Sequence, residues 1–566
     1  MLAWLRAVAT SYTHWSHKET YAVKTTAEIM ISALMSEGVD TVFGIPGAQI
    51  YPIFDAIYNT QGKMKLIAPR HEQGAAYMAL GYARSTGRSG VFSVVPGPGV
   101  LNAGAGLCTA QGVNAPVMCL TGEIPSDFMG QGRGHLHELK NQQETLQGIV
   151  KWAGHIAAPD DAASVMREAF EKMHGGRKGA VAVQAPWDVL PAQTDHTNYA
   201  PIEVESQAVD VDAIAEAVKL LSQCSHPMIM VGGGALDASE EVTRLAEMLE
   251  APVTAFRSGK GVVSDESDFT VCAPAGYKLW QQTDVLIAIG TRMELQLMRW
   301  GDMMKRQGSA EGKKVIRIDI DPDEFLRVNT DVNIQGDSAS ATGQLVEALI
   351  SANVASSGNR ELIISTQQQL LHDIQDIQPQ MAYLNLIRDM LPRDGFFVEE
   401  LCQMGFTSNF GFEVYQPRTY VTPGYQGTLG FGFPTSLGVK VANPDKVVLS
   451  ITGDGGFMFG MQELATAVQH NIGVITLVFN NAAFGNVLRD QQTRFDGHVV
   501  GAEFTNPDFV KMAQAFGAEG YRVNSPVELK PVLEKAIADN KPTLIDVVVP
   551  KGSEVSPWKH IHPQAG

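Results

Sequence analysis

Residues 447–485 read VVLSITGDGGFMFGMQELATAVQHNIGVITLVFNNAAFG. An apolar, β-branched run (Val447, Val448, Leu449, Ile451) breaks at Gly453-Asp454-Gly455-Gly456, and a second run, Val474 to Phe479, ends at Asn480-Asn481. Between them Met461, Leu464, Ala465 and Val468 recur at i, i+3, i+4 and i+7, the spacing that gives a helix one apolar face. Two short apolar runs joined by a helix suit adjacent parallel strands buried on both faces. The unit therefore reads as strand, turn, helix, strand, with Asp454 and Asn481 side by side at one sheet edge. A carboxylate and an amide oxygen beside a glycine turn, where a helix amino terminus offers free N–H groups, suit a Mg2+ ion carrying a diphosphate. Taken singly, GDGG is an ordinary glycine turn and NN an ordinary strand-end turn.

The pair is more specific than its parts. GDG, residues 456–479, then NN resembles the thiamine diphosphate (ThDP) fingerprint of decarboxylases and acetolactate synthase-like enzymes, and the resemblance covers nearly the whole chain. It implies an α/β fold of three doubly wound parallel-sheet domains. These would be a pyrimidine-binding domain (24–190), a central domain (208–350) and a diphosphate-binding domain (380–550), with an extension at 1–23 and a tail at 551–566.

Length and composition agree with several such domains. The chain has 566 residues, is 45% hydrophobic and carries a formal net charge of −18, which excludes a nucleic-acid surface and suits an ordinary enzyme. Five cysteines show neither metal spacing nor the density of a disulfide scaffold. No apolar run approaches the roughly 20 residues of a membrane helix. Residues 1–23 lack the unbroken apolar core and small-residue cleavage site of a signal peptide. The expectation is a poorly ordered extension on a cytoplasmic enzyme, the alternative being an amphipathic organelle-targeting leader.

Upstream, TTAEIMISALMSEGVDTVFGIPG reads as a threonine-capped helix, a stop at Gly38 and a short strand into the turn Gly44 to Gly47. Then Arg70-His71-Glu72-Gln73-Gly74-Ala75-Ala76 opens a helix of small residues, carrying Glu72 into close contact with something. A buried glutamate must be protonated, paired or hydrogen-bonded, whereas one at a helix start is also favoured by the dipole. RHEQGAAYMALGYAR is similar to the family segment holding the catalytic glutamate, which maps onto Glu72.

Other site residues follow from the resemblance. The strand Val91 to Val95 runs into Pro96-Gly97-Pro98-Gly99, similar to the substrate-side glycine turn, with Asn102 opening a helix. In GEIPSDFMGQGRGHLHELKNQQ, His137 stands where relatives usually place a glutamine near the reacting ring; His135 and His137 read equally as acid-base groups or as solvated loop residues. Ala48, Gln49, Gly97, His137 and Gln491 are the candidate substrate contacts. FFVEELCQMG resembles the strand and turn that meet the diphosphate, which marks Cys402 and Gln403. GTLGFGFP is similar to the segment gripping the aminopyrimidine, with Gly427 in its turn and Leu429 beneath the bent cofactor. The resemblance assigns Gly453, Asp454, Gly455, Gly456, Asn481, Ala483, Phe484 and Gly485 to the cofactor, with Mg2+ on the side chains of Asp454 and Asn481 and the Ala483 carbonyl.

In the central block, strands at Met228–Val231, Val253–Phe256, Val285–Ile289 and Val315–Ile320 surround a Gly232-Gly233-Gly234 turn that resembles a nucleotide-binding loop. Gly290-Thr291-Arg292 partly resembles a flavin-contacting pattern, whereas CAPAGYKLW does not; the expectation is a central domain without flavin, the alternative being one that holds FAD. Pro191–Asp212 and Ser351–Gln380 read as linkers, the second helical in its latter part. KGSEVSPWKHIHPQAG reads as a plain surface tail, although in relatives this segment can fold over the active site.

The activity implied is a ThDP-dependent carboligase or lyase acting on a 2-oxo acid through an enamine, acetolactate synthase-like. FGNVLRDQQTRF lacks the tryptophan by which biosynthetic acetohydroxyacid synthases select their acceptor; Asp490 or Gln491 replaces it. The alternatives are a simple 2-oxo acid decarboxylase, a 2-hydroxyacyl-CoA lyase, a flavin-dependent oxidase and, from another class, a silent ThDP-binding regulatory subunit. In the family the glutamate and metal motifs belong to different subunits, implying a homodimer or homotetramer with shared sites, and no nucleic-acid or membrane partner.

Overall fold

The computed structural model describes residues 23–204, 207–295, 300 and 313–563. Apart from Val23, the expected extension lies outside them. Three six-stranded sheets, all parallel, follow one another along the chain. In the first, the spatial order is Lys65–Ile67, Thr41–Gly44, Gly90–Val94, Val117–Glu123, Val181–Pro186, Trp152–His155. In the third it is Tyr420–Val421, Phe396–Val398, Val448–Gly453, Ile475–Asn480, Thr543–Val548, Glu519–Val523. Numbered within each domain, both orders are 2-1-3-4-6-5. The middle sheet, Thr270–Val271, Val253–Ala255, Pro227–Val231, Val285–Ile289, Lys314–Asp319, Val332–Gln335, runs 3-2-1-4-5-6, the dinucleotide-fold order.

The expected three doubly wound domains are present. Central strands such as Val285–Ile289 and Val181–Pro186 are buried at every position, as apolar runs covered by helices on both faces require. Thr25 caps the helix Thr26–Ser36 in a reciprocal box with Glu28. Val448–Gly453 and Ile475–Asn480 are adjacent and parallel with Gly453 opposite Phe479, so both strands end at the same edge.

Four local expectations need correction. Asn102 does not open a helix; the helix is Pro98–Gly112, because a proline in its first turn leaves no needed N–H unmade. The 191–212 linker holds a strand, Gln193–Thr194, paired antiparallel with Lys24–Thr25. The helical stretch after Asp454 is broken into Asp454–Phe457, a turn Met461–Glu463 and Leu464–Gln469. Within 461–469 the buried positions are Glu463, Leu464, Thr466 and Ala467, so of the expected stripe 461/464/465/468 only Leu464 is buried, because Glu463 and Thr466 are drawn inward by hydrogen bonds. Among the described residues no helix is long and apolar enough to cross a membrane.

Candidate active site

At the carboxyl edge of the third sheet Asp454 is 2% exposed, and its carboxylate is fixed by N–H donors. Gly455 N donates to Oδ1 at 2.9 Å; Ala482 N and Asn506 Nδ2 donate to Oδ2 at 2.7 and 2.8 Å. Burial pushes its pKa up while these donors pull it down. Asn481 therefore lies beside Asp454, one residue from the N–H that grips it. The Asn481 Oδ1 accepts from Ala483 N at 3.1 Å, and Ala482 between them takes φ +55°, a left-handed kink that folds the loop back on the carboxylate. Phe484 packs edge-on to Phe504 and fills the space a side chain at Gly455 would need. A Cβ at Gly485 would lie 3.0 Å from Asn481 Nδ2. The Asp454 carboxylate and the Asn481 amide oxygen are hard oxygen donors of the kind magnesium takes.

Two further segments meet this edge. Cys402 caps the helix Gln403–Gly411, its Sγ accepting from Gly405 N at 3.4 Å, and a Cβ on Gly453 would sit 3.3 Å from the Cys402 Cβ. Burial pushes the Cys402 thiol pKa far up, so it stays protonated. Gln403 is buried with Oε1 unpartnered, a polar atom a bound ligand could satisfy. Gly427 takes φ +55°, and Leu429 is half-buried in the same loop. That loop is anchored by Glu400, which accepts from Gly430 N and Gly432 N at 2.8 Å each and from Thr452 Oγ1 at 3.0 Å. A side chain at Gly456 would overlap this carboxylate. Glu399 and Glu400 are both fully buried, and burial raises each to a pKa of about 7.

Glu72 stands on the other domain, at the first position of the helix Glu72–Thr86, where His71 caps the chain. Its Oε2 accepts from Asn102 Nδ2 at 3.0 Å. Among the described hydrogen bonds and ion pairs none joins Glu72 to Asp454, Asn481 or Leu429. Glu463, fully buried, takes the N–H groups of Arg70 and His71 at 3.0 Å each and abuts Gly74, whose missing Cβ makes room for it. The helix start carrying Glu72 is thus held by the third domain of its own chain.

Of the substrate candidates, three are brought together. Gln49 Nε2 donates to Leu136 O at 2.8 Å, its Oε1 meets His137 Nδ1 at 3.0 Å, and Gly97 lies so close to the His137 carbonyl that a side chain would clash. Ala48 opens the short turn containing Gln49. Gln491 is apart from them within one chain: both ends of its amide hold Val500, at 3.0 Å each.

The tail is not a plain surface segment. Glu554 Oε2 accepts from Asn481 Nδ2 at 2.8 Å, and Trp558 Nε1 donates to Asn486 Oδ1 at 2.8 Å. Glu400, Glu463, Asn506 and Glu554 were not singled out from the sequence. Only Asn506 carries a signal, an Asn-Pro turn, and that signal is generic. A cleft in the middle domain lies at its switch point, between Gly232–Gly234 and Gly290–Arg292, with the buried Arg84 of the first domain among its walls.

Comparison with known proteins follows this division. Residues 24–145 match the N-terminal TPP binding domain of thiamine pyrophosphate enzymes, 214–345 their central domain and 402–547 their C-terminal TPP binding domain. The chain is 34% identical to a probable acetolactate synthase large subunit of Methanocaldococcus jannaschii, over 92% of this chain and 91% of that one. It is 32% identical to an acetolactate synthase of Arthrospira platensis, over 94% and 95%. It is 30% identical to a probable 2-ketoarginine decarboxylase of Pseudomonas aeruginosa, over 92% and 94%.

Proposed function

From the premise that the chain belongs to the thiamine pyrophosphate enzyme family, we propose that it is a Mg2+- and ThDP-dependent carboligase of the acetolactate synthase type, acting on a 2-oxo acid. The observation that carries the reading is the Asp454–Ala482–Asn481 cluster at the shared end of two parallel strands, the place and donor set a magnesium diphosphate needs.

When bound, ThDP supplies the carbon nucleophile and the electron sink of the reaction. The residues of this chain bind, orient and move protons. Asp454, Asn481 and the Ala483 carbonyl would hold the metal; Cys402, Gln403, Gly453, Gly455, Gly456, Phe484 and Gly485 would line the diphosphate. Gly427 and Leu429 shape the pyrimidine side, on a loop that Glu400 fixes through two backbone N–H groups. Glu72 would serve the cofactor of the partner subunit, where its carboxyl could exchange a proton with the pyrimidine; this would need at least a homodimer and accommodate a homotetramer. Ala48, Gln49, Gly97 and His137 face the substrate from the same domain edge as Glu72, with Gln491 from the other domain. All five cysteines are free thiols, which suits a reducing cytoplasm.

A simple decarboxylase is the second reading. It is favoured by the relative named a probable 2-ketoarginine decarboxylase and by the lack of a tryptophan in residues 484–495. Incubation with ThDP, Mg2+ and pyruvate or other 2-oxo acids, following carbon dioxide, aldehyde and acetolactate, separates the two. Acetolactate formation is expected; aldehyde alone selects the decarboxylase, and no turnover across a panel of 2-oxo acids removes both.

A further inference from the structure

We propose that Glu554 is a positioning residue for the metal-binding amide of Asn481, which makes the carboxyl-terminal segment part of the cofactor site. The inference rests on the reading that Asp454, Asn481 and Ala483 hold Mg2+.

A side-chain amide can offer a cation its oxygen or turn on it two N–H groups. Which end faces the metal is decided by what the other end finds. Asn481 Nδ2 ends on Glu554 Oε2 at 2.8 Å. A carboxylate only accepts hydrogen bonds, so the nitrogen is the end held there, and the flipped amide would set two oxygens against each other. The oxygen is left on the side of the loop, where Ala483 N donates to it at 3.1 Å. Gly485 keeps the pair close: a Cβ there would lie 3.0 Å from Asn481 Nδ2 and 3.7 Å from Glu554 Oε2.

Glu554 does not reach this place by chance of a loose tail. The residue after it is bonded on both its backbone groups. Val555 N donates to Gln378 O at 3.0 Å, and Gln380 Nε2 donates to Val555 O at 2.7 Å, fixing the segment to the start of the helix Gln380–Met390. On its other side Arg489 Nη1 donates to Ser556 Oγ at 3.0 Å and Trp558 Nε1 to Asn486 Oδ1 at 2.8 Å. Asn486 and Arg489 belong to the helix Gly485–Arg494, which leaves the metal loop directly. Residues 555–558 therefore tie that helix to a second element and present the Glu554 carboxylate to Asn481 between them.

Glu554 could act through its hydrogen bond or only through its charge, and Gln at this position separates the two, because it keeps an acceptor oxygen and loses the charge. The test uses the full chain and measures the Mg2+ concentration giving half-maximal ThDP binding, read by tryptophan fluorescence or calorimetry. Partners of metal-bound side chains are typically worth 10–100-fold in affinity, so Glu554→Ala is expected to raise that concentration about tenfold or more. Glu554→Gln is expected to stay within about threefold of the wild type, and saturating Mg2+ to restore ThDP binding in both. The proposal is overturned if Glu554→Ala binds Mg2+ as the wild type does, or if Glu554→Gln is as weak as Glu554→Ala. Asp454→Ala is run beside them. If it too leaves Mg2+-dependent binding unchanged, the metal loop itself is misread; if it abolishes binding while both Glu554 variants behave as wild type, only the role of Glu554 fails.

Discussion

Glu72 and Asp454 are both carboxylates at helix starts, yet their surroundings set them different tasks. Asp454 is buried and accepts three N–H donors, an arrangement that holds an ionised group still. Glu72 is half-buried and has a single side-chain partner, Asn102, which leaves oxygen capacity for another molecule. A group meant to exchange a proton needs that spare capacity. Glu72→Gln keeps the shape and the contact with Asn102 but removes the exchangeable charge. ThDP binding is expected to persist, while hydrogen-deuterium exchange at the thiazolium C2 and turnover fall by about 10²–10⁴-fold. Exchange at the wild-type rate, followed by NMR on the quenched complex, would show that Glu72 has been given the wrong role. That Asp454 and Asn481 would lie side by side was legible because each ends an apolar strand run at a short polar turn, and the two strands are adjacent and parallel. Glu400, Glu463 and Glu554 were not. Glu400 and Glu463 serve backbone N–H groups of remote segments, and Glu554 takes a side-chain amide 73 positions away; no residue pattern announces such contacts.

At the scale of elements, the small-residue run after Glu72 finds its reason in one helix crossing. The helices Glu72–Thr86 and Gly432–Ala442 come so close that Gly81 lies on the Thr435 carbonyl and Gly438 on the Met78 carbonyl. Alanine at either position would drive a methyl group into backbone, which cannot rotate away as a side chain can. Gly438→Ala is expected to cost about 1–3 kcal/mol of stability, the range for overpacked cores. It should also weaken ThDP binding, because the loop Gly427–Gly432 leads straight into the displaced helix. Urea unfolding and a ThDP titration read the two effects; unchanged unfolding would mean that the crossing is looser than its geometry. Parallel strands were legible at this scale because an apolar run covered on both faces has few other destinations. The buried face of residues 461–468 was not, since Glu463 turns inward to accept from Arg70 N and His71 N some 390 positions earlier, and Thr466 turns inward to donate to Glu463.

In the whole molecule, the first and third sheets share one strand order and the middle sheet has another, so two domains of like topology flank a different one. The resemblance made the three-domain division legible; within one chain the Glu72 helix meets the third domain, Tyr77 hydrogen-bonding Thr428 beside Leu429, but among the described hydrogen bonds and ion pairs none joins Glu72 itself to Asp454 or Asn481. Glu72 bonds within its own domain, to Asn102, and its helix is fastened to the third domain through Glu463, Tyr77–Thr428 and the Gly81–Gly438 crossing. If the glutamate serves the cofactor of the partner subunit, each dimer has two sites built crosswise. Glu72→Gln and Asp454→Ala homodimers then have no complete site. A hybrid dimer has one, because the chain with intact Glu72 faces the chain with intact Asp454. Random mixing makes half the dimers hybrids with one good site of two, so about a quarter of wild-type activity should return. Co-expression of the two variants with separate affinity tags, followed by tandem purification, isolates the hybrid itself, which should approach about half of wild-type activity. A site built within one chain predicts the opposite, since each chain of the hybrid would still lack one essential carboxylate and the purified hybrid would stay as inactive as its parents.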